Sequence, residues 1–362
     1  MSIIISLLVF SLIIVVHEAG HFIVAKKAGV CVWEFSIGMG PLLVSKQIGE
    51  TMYSIRALPF GGFCRMQGEN EEEDSEFVVD DPSRSFSNKS VAQRIAIFFA
   101  GPAMNFVYAF ILVFIMLGIN GFLIPEIKSV ENNSPAIEAG LEAGDRIIEV
   151  NGQKIRIYQD FQIALNTRKG SDPVDMTVLR DGMKYDYSIQ PEYDEEYGRY
   201  MIGFTFDVRA GLFSKPVDGF DNASLLETVK ADIGTMTYFV KSVVIGFVQL
   251  FTFQVSSEDV SGPIGIINTI EDAYEEGIKS SIVDAFSNLA VLSAILSTNL
   301  GIINLFPIPV MDGGRIVFLL IEGIRKKPLN PEIEGRIHFA GFVLLISFMI
   351  FVAFNDIVNL IR

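Results

Sequence analysis

Apolar residues in this chain gather into a few long runs, far longer than the alternations of a soluble core. Residues 1–16 read MSIIISLLVFSLIIVV, and Phe22 to Ala25 continue in the same character. Four stretches are long and apolar enough to cross a bilayer as helices, roughly residues 2–24, 94–119, 285–322 and 338–361. The third cannot be one continuous helix. Within Asn304-Leu-Phe-Pro307-Ile-Pro309-Val-Met-Asp312-Gly313-Gly314, two prolines remove backbone donors and fix φ. Irregular backbone at membrane depth is tolerated only where protein or a watery cavity covers it, so the break points to a site. A further stretch, Lys230 to Phe253, is punctuated by Asp232, Lys241 and Gln249. It reads as an amphipathic helix lying on the membrane or packed against the spans. A true crossing there would put the two termini on opposite sides.

Two regions follow a different period. Glu50 to Phe63, ETMYSIRALPFGGF, alternates apolar and polar residues and then turns at glycines, which predicts strands of a small sheet close to the membrane. Such an edge beside an active site could capture an unwound substrate, and an interfacial anchor is the other reading. Phe122 to about Val208 forms a second unit, centred on SPAIEAGLEAGDRIIEVNGQKI at Ser134–Ile155. Pro135 and the following alanines suit a short helix ended by Gly140, and Asn151-Gly152 is a hairpin turn. This unit resembles a PDZ domain of the bacterial, circularly permuted kind. Domains of that kind bind extended peptide ends by adding a strand to a sheet edge. A rigid cap that no ligand enters is an equal alternative.

Charge orients the chain. Lys26 and Lys27 end the first span, and Arg325, Lys326, Lys327 and Arg336 fill the short loop between the last two. Basic residues beside short loops mark the cytoplasmic side, which places residues 120–284 and both termini outside. The apolar N-terminus lacks a basic leader and a small-residue cleavage site, so it reads as a retained span. Hydrophobic residues make up 50% of the 362, and mean hydropathy is +0.41, too apolar for an ordinary soluble enzyme. A net charge of −15 argues against nucleic acid as a partner. Much of that acid is local: Glu69, Glu71, Glu72, Glu73, Asp74, Glu76, Asp80 and Asp81 read as a solvated loop. The two cysteines, Cys31 and Cys64, read as free thiols placed away from any metal.

Chemistry enters with His17-Glu18-Ala19-Gly20-His21 inside the first span. Histidines four apart share one helix face and can bind one Zn²⁺, with the intervening glutamate placed to act on the attacking water. In a membrane span such side chains are costly without a function and a partner, although a polar pair facing a helix bundle is the bland reading. A catalytic zinc needs three protein ligands and an open position. The third histidine, His338, reads as an interfacial helix-start residue. The third ligand is therefore expected to be the carboxylate of Asp312, held on the broken span beside two glycines. Glu18 is expected to be the general base.

In order, HEAGH, GPAMNF at Gly101–Phe106, the PDZ-like unit and NLFPIPVMDGG at 304–314 resemble the site-2 protease family, in its bacterial RseP/RasP type. The likeness runs over nearly the whole chain. It implies a polytopic α-helical membrane protein of about four spans, one broken, with an inserted α+β PDZ domain and a small membrane-associated β-sheet. Residues 1–119 would carry two spans, the HEAGH motif and the β region (about 26–92). Residues 120–210 would form the extracytoplasmic PDZ-like domain, 211–284 a membrane-associated linker, and 285–362 the last two spans.

The resemblance also implies a zinc-dependent intramembrane endopeptidase in the bacterial cytoplasmic membrane, with its site toward the cytoplasm. Its substrates would be transmembrane segments, those of anti-sigma factors after a first cleavage and signal-peptide remnants, met within membrane lipid. His17, His21 and Asp312 match the metal ligands and Glu18 the catalytic residue. Asn299 and Asn304 match asparagines that hold substrate backbone, or else serve as bundle glue. Met311 stands where leucine is usual, and one PDZ-like unit stands where some relatives have two. A catalytically silent PDZ scaffold and a metal carrier are the competing readings. A helical substrate hides its carbonyls, so a span weakened by Gly, Pro or Ser near the cut should be cleaved faster than a poly-Leu span. Equal rates for the two in detergent would contradict this.

Overall fold

The computed structural model describes residues 2–69, 81–166, 171–195, 199–215, 220–252 and 262–361. Most of the acidic run, Glu71 to Asp80, lies outside the described residues. In chain order the elements are α1 (Ser2–Lys27), β1 (Val32–Ile48), β2 (Thr51–Met66), α2 (Val91–Asn120), β3 (Phe122–Val130), α3 (Pro135–Ala139) and β4 (Arg146–Val150). Next come β5 (Gln153–Lys154), α4 (Tyr158–Asn166), β6 (Val174–Arg180), β7 (Met183–Ile189), β8 (Glu192–Asp194), β9 (Arg199–Met201) and β10 (Phe204–Arg209). Five helices close the chain: α5 (Leu225–Phe251), α6 (Pro263–Ser280), α7 (Ile282–Leu305), α8 (Asp312–Arg325) and α9 (Pro331–Ile361). Two compact units divide them, residues 1–112 with 239–362, and residues 113–238.

The first unit holds the helices that the long apolar runs predict. α1, α2, α7 and α9 are each long and apolar enough to cross a membrane, and the third run is indeed broken, between Leu305 and Asp312. By length and composition α5 also qualifies, at a lower mean hydropathy of 1.4. α2 and α7 pair antiparallel through small and polar residues. Tyr108 Oη lies 3.0 Å from Ser293 Oγ, Ser297 Oγ donates to Asn105 O over 3.1 Å, and Gly301 meets Pro102. α7 therefore begins at the end toward which α2 runs, and any crossing made by α5 must be reversed before Ile282.

β1 and β2 are long strands that bend. Residues 34–37 pair with 52–55 on one side and 62–65 on the other, while 42–48 pair with 51–56. The result is a four-segment mixed sheet whose central pair, 34–37 with 52–55, is parallel, with 62–66 and 42–48 as its antiparallel outer segments. Met39, Leu42, Leu43, Val44 and Leu58 stand exposed on it, an apolar surface suited to the membrane interface.

The inserted unit is a sheet in the order β10-β3-β4-β6-β7, with β5 pairing β4. Ile127, Ile147, Val150, Val174, Met176, Val178 and Ile189 form its core with Phe161 and Ala164 of α4. The punctuation visible in the sequence falls where expected. Ser134 caps α3, Gly140 ends it at φ 91°, and Asn151 and Gly152 turn with φ of 49° and 76°. Asp145 is fully buried, receives Arg180 in a bidentate pair at 2.5 and 2.6 Å, and accepts from Glu142 N. Removing the charge of this buried carboxylate weakens two arginine hydrogen bonds and leaves a half-buried guanidinium without its partner. Asp145→Asn is expected to destabilise this unit by about 2–4 kcal/mol, read as a lower melting transition of the full-length protein in detergent.

Candidate active site

His17 and His21 lie one turn apart on α1 and point the same way, with their Nε2 atoms 3.1 Å apart. Asp312 opens α8, and its Oδ2 stands 3.1 Å from His17 Nε2 and 3.4 Å from His21 Nε2. The structure thus brings together the three expected ligands from opposite ends of the sequence. Asp312 is delivered by the break between α7 and α8. Gly313 and Gly314 allow this approach, because a Cβ on either would lie 2.3 Å from the carbonyl oxygen of Phe306 or Ile308.

Each imidazole is oriented from behind. His21 Nδ1 donates to Ile97 O at 2.8 Å, which leaves the Nε2 lone pair free for a metal. His17 Nδ1 lies 3.2 Å from the amide of Asn105, a fully buried residue on α2. With the amide nitrogen turned to the ring, Asn105 Oδ1 is a buried acceptor without a partner. Turning the oxygen inward gives Oδ1 a donor in the ring, places the proton on Nδ1 and frees Nε2. α2 can come this close because of two glycines. A Cβ on Gly101 would sit 2.3 Å from His21 Nε2, and one on Gly20 would sit 2.2 Å from Ala100 O.

This arrangement fits a zinc ion. Ligand atoms about 2.0–2.1 Å from a tetrahedral zinc stand about 3.3 Å from one another. The three separations, 3.1, 3.1 and 3.4 Å, match three corners of such a tetrahedron. Asp312 Oδ2 is buried and has no hydrogen-bond donor. A cation supplies what that oxygen lacks.

His17, His21 and Asp312 line a cavity of about 500 Å³. Glu18 lines it, beside Asn304 of α7 and the outer segment of β2 from Phe63 to Met66. Asn299, five residues from Asn304 on the same helix, is not among the lining residues. Cys64 is, which corrects the expectation that both thiols lie away from the histidine pair. It contributes no atom to the ligand cluster, and burial pushes its thiol well above the usual range, with the Glu18 and Glu69 carboxylates adding to the effect. Sequence reasoning passed over Asn105, although its motif GPAMNF was in view. It also passed over Arg315, which lines the cavity, pairs with Glu69 and lies over the Phe98 ring at 5.1 Å.

Comparison with known proteins bears on this geometry. The profile of peptidase family M50 matches residues 5–348. The chain belongs to peptidase family M50. A Clostridium perfringens protein that bears a zinc-metalloprotease name is 36% identical over 99% of each chain. The regulator of sigma-W protease RasP of Bacillus subtilis is 31% identical, covering 98% of this chain and 97% of that one. Among solved structures, the PDZ domain of an SdrC-like protein from Listeria innocua covers 24% of this chain and 93% of its own, at 28% identity and a TM-score of 0.21. The protein is a multi-pass membrane zinc metalloprotease of the site-2 type. The orienting contacts generate a prediction. Asn105→Leu should weaken zinc binding by about 10–100-fold while the protein stays folded, measured by chelator competition in detergent.

Proposed function

We propose that this M50 protease hydrolyses peptide bonds within transmembrane segments of single-span proteins, using His17, His21 and Asp312 as zinc ligands and Glu18 as general base. One observation carries the reading: two ligand atoms and a glutamate of α1 and a third ligand atom from the start of α8 converge on one cavity. Ionisable groups at such a depth are expensive unless they serve a function. A zinc ion there supplies a Lewis acid and makes water acidic enough to attack at neutral pH. Glu18 accepts the proton of the attacking water and returns it to the departing amide nitrogen. Asn304 offers an amide to an unwound substrate backbone, whose freed N–H and C=O groups have no water to turn to. The outer segment of β2 borders the same cavity and could pair with an extended strand. Asn299, on the same helix and outside the cavity lining, keeps the substrate-backbone role that the resemblance implies.

The substrate class is drawn from the relatives. A RasP relative is named as a regulator of sigma-W, which favours anti-sigma factors trimmed by a first protease, and signal-peptide remnants offer the same kind of single span. The proposed setting is the bacterial cytoplasmic membrane, with residues 120–210 as a separate outer module and the site toward the cytoplasm. Lys26, Lys27 and Arg325 to Lys327 mark that inner side. The PDZ-like module sets its edge strand β10 beside α4, with Phe204 and Phe206 against Tyr158 and Phe161, where an extended peptide end could add a strand.

The decisive experiment is cleavage of a truncated single-span substrate in liposomes by wild type and by Glu18→Gln, with zinc measured in both. Loss of cleavage by at least about 1,000-fold with zinc retained is expected. Cleavage by the variant at the wild-type rate would remove Glu18 as the base, and zinc bound by both without cleavage by either would return the protein to the scaffold reading. Reporter fusions test the topology separately: with α5 making no net crossing, both termini should report from outside.

A further inference from the structure

The backbone that delivers Asp312 is strained at one residue. Val310, two positions before the ligand, has φ of 83°, a region that a β-branched side chain avoids. Such a conformation persists only where its surroundings hold it, and strain of this kind clusters at functional sites. Toward α8 the turn is closed by its own backbone and packed by a glycine of that helix. Met311 N donates to Ile308 O at 3.2 Å, and Gly314 sits against Ile308 O. At its centre the hold comes from α9. His338 Nδ1 accepts from Val310 N–H at 3.0 Å, and Gly341, one turn on, lies against Pro309, where a Cβ would approach to 2.5 Å.

His338 is itself fixed for this task. Its ring meets Phe318 of α8 edge-on at 5.3 Å between centroids. Its Nε2 faces the Glu334 carboxylate at 3.8 Å, which favours the proton on Nε2 and leaves Nδ1 as the acceptor. By sequence His338 is expected to be an interfacial helix-start residue. It lies outside the ligand cluster, but it grips the turn from which the third ligand hangs.

We propose that His338 is a positioning residue, whose Nδ1 holds the Val310 N–H and so presets Asp312 for the metal. α9 thereby sets zinc affinity without touching zinc. The proposal rests on the reading of Asp312 as a ligand.

Two substitutions separate the acceptor from the ring. His338→Phe keeps the ring against Phe318 but has no acceptor. His338→Asn loses the ring but can place Oδ1 where Nδ1 stood. Zinc affinity of the full-length protein, by chelator competition in detergent, should fall about 10-fold or more in His338→Phe and stay within about 3-fold of wild type in His338→Asn. Val310→Gly removes the strain, since glycine takes positive φ freely, and should make the His338→Phe substitution much less harmful when the two are combined. Wild-type affinity in His338→Phe, or equal losses in His338→Phe and His338→Asn, would overturn the proposal. Asp312→Asn is the control. If it loses zinc while His338→Phe does not, only the positioning role fails. If Asp312→Asn binds zinc as the wild type does, the ligand assignment fails with it.

Discussion

Two imidazole nitrogens and one carboxylate oxygen, gathered within hydrogen-bond distance of each other among apolar helices, set the terms for the rest of this protein. Without a cation, Asp312 Oδ2 is a buried acceptor with no donor, and the two Nε2 atoms crowd each other at 3.1 Å. Such a cluster is unfavourable in water and more so in a bilayer, where no solvent compensates it. A zinc ion held there would take the same three atoms as protein ligands and satisfy them together. The surrounding architecture keeps the set assembled and places it on a cavity.

Assembly depends on close backbone approach. α1 supplies both histidines, yet a helix alone fixes neither ring nor tautomer. α2 does both, through Ile97 O and Asn105, and it approaches because Gly20 and Gly101 carry no side chains. α2 in turn is tied to α7 by serine, tyrosine and small-residue contacts, and α7 ends in the break that delivers Asp312. Membrane helices lack a hydrophobic drive to associate, so small residues and interhelical hydrogen bonds carry this chain of contacts.

Legibility in the sequence followed the range of each interaction. HEAGH was readable because its two ligands are one helical turn apart. The broken span was readable because proline is incompatible with a continuous helix whatever surrounds it. The caps of α3 and the Asn151-Gly152 turn were readable for the same local reason. Asn105 was not, because its partner lies 88 positions away and a lone asparagine in a span could equally be bundle glue. Cys64 reached the cavity because β1 and β2 each bend and pair twice, which an alternating pattern does not encode. α5 reads by charge as amphipathic and by length as a span, and only the antiparallel pairing of α2 with α7 limits what it can do.

The broken span also explains why irregular backbone is worth its cost here. A continuous helix past Leu305 would keep every carbonyl bonded and could offer a carboxylate only at helical spacing. The turn instead bonds the carbonyl oxygens of Phe306 and Ile308 within itself, to the N–H groups of Ile308 and Met311, packs Gly313 and Gly314 against them, and starts a fresh helix at Asp312. The orphan N–H groups at a helix start favour a negative charge there, so the carboxylate is stabilised by the same feature that aims it. Irregularity at membrane depth survives only where protein covers it, and α9 provides cover through Gly341 and His338. A helix whose outer face is largely exposed hydrophobic residues, such as Phe342, Leu344 and Phe351, is thereby joined to the metal-bearing turn.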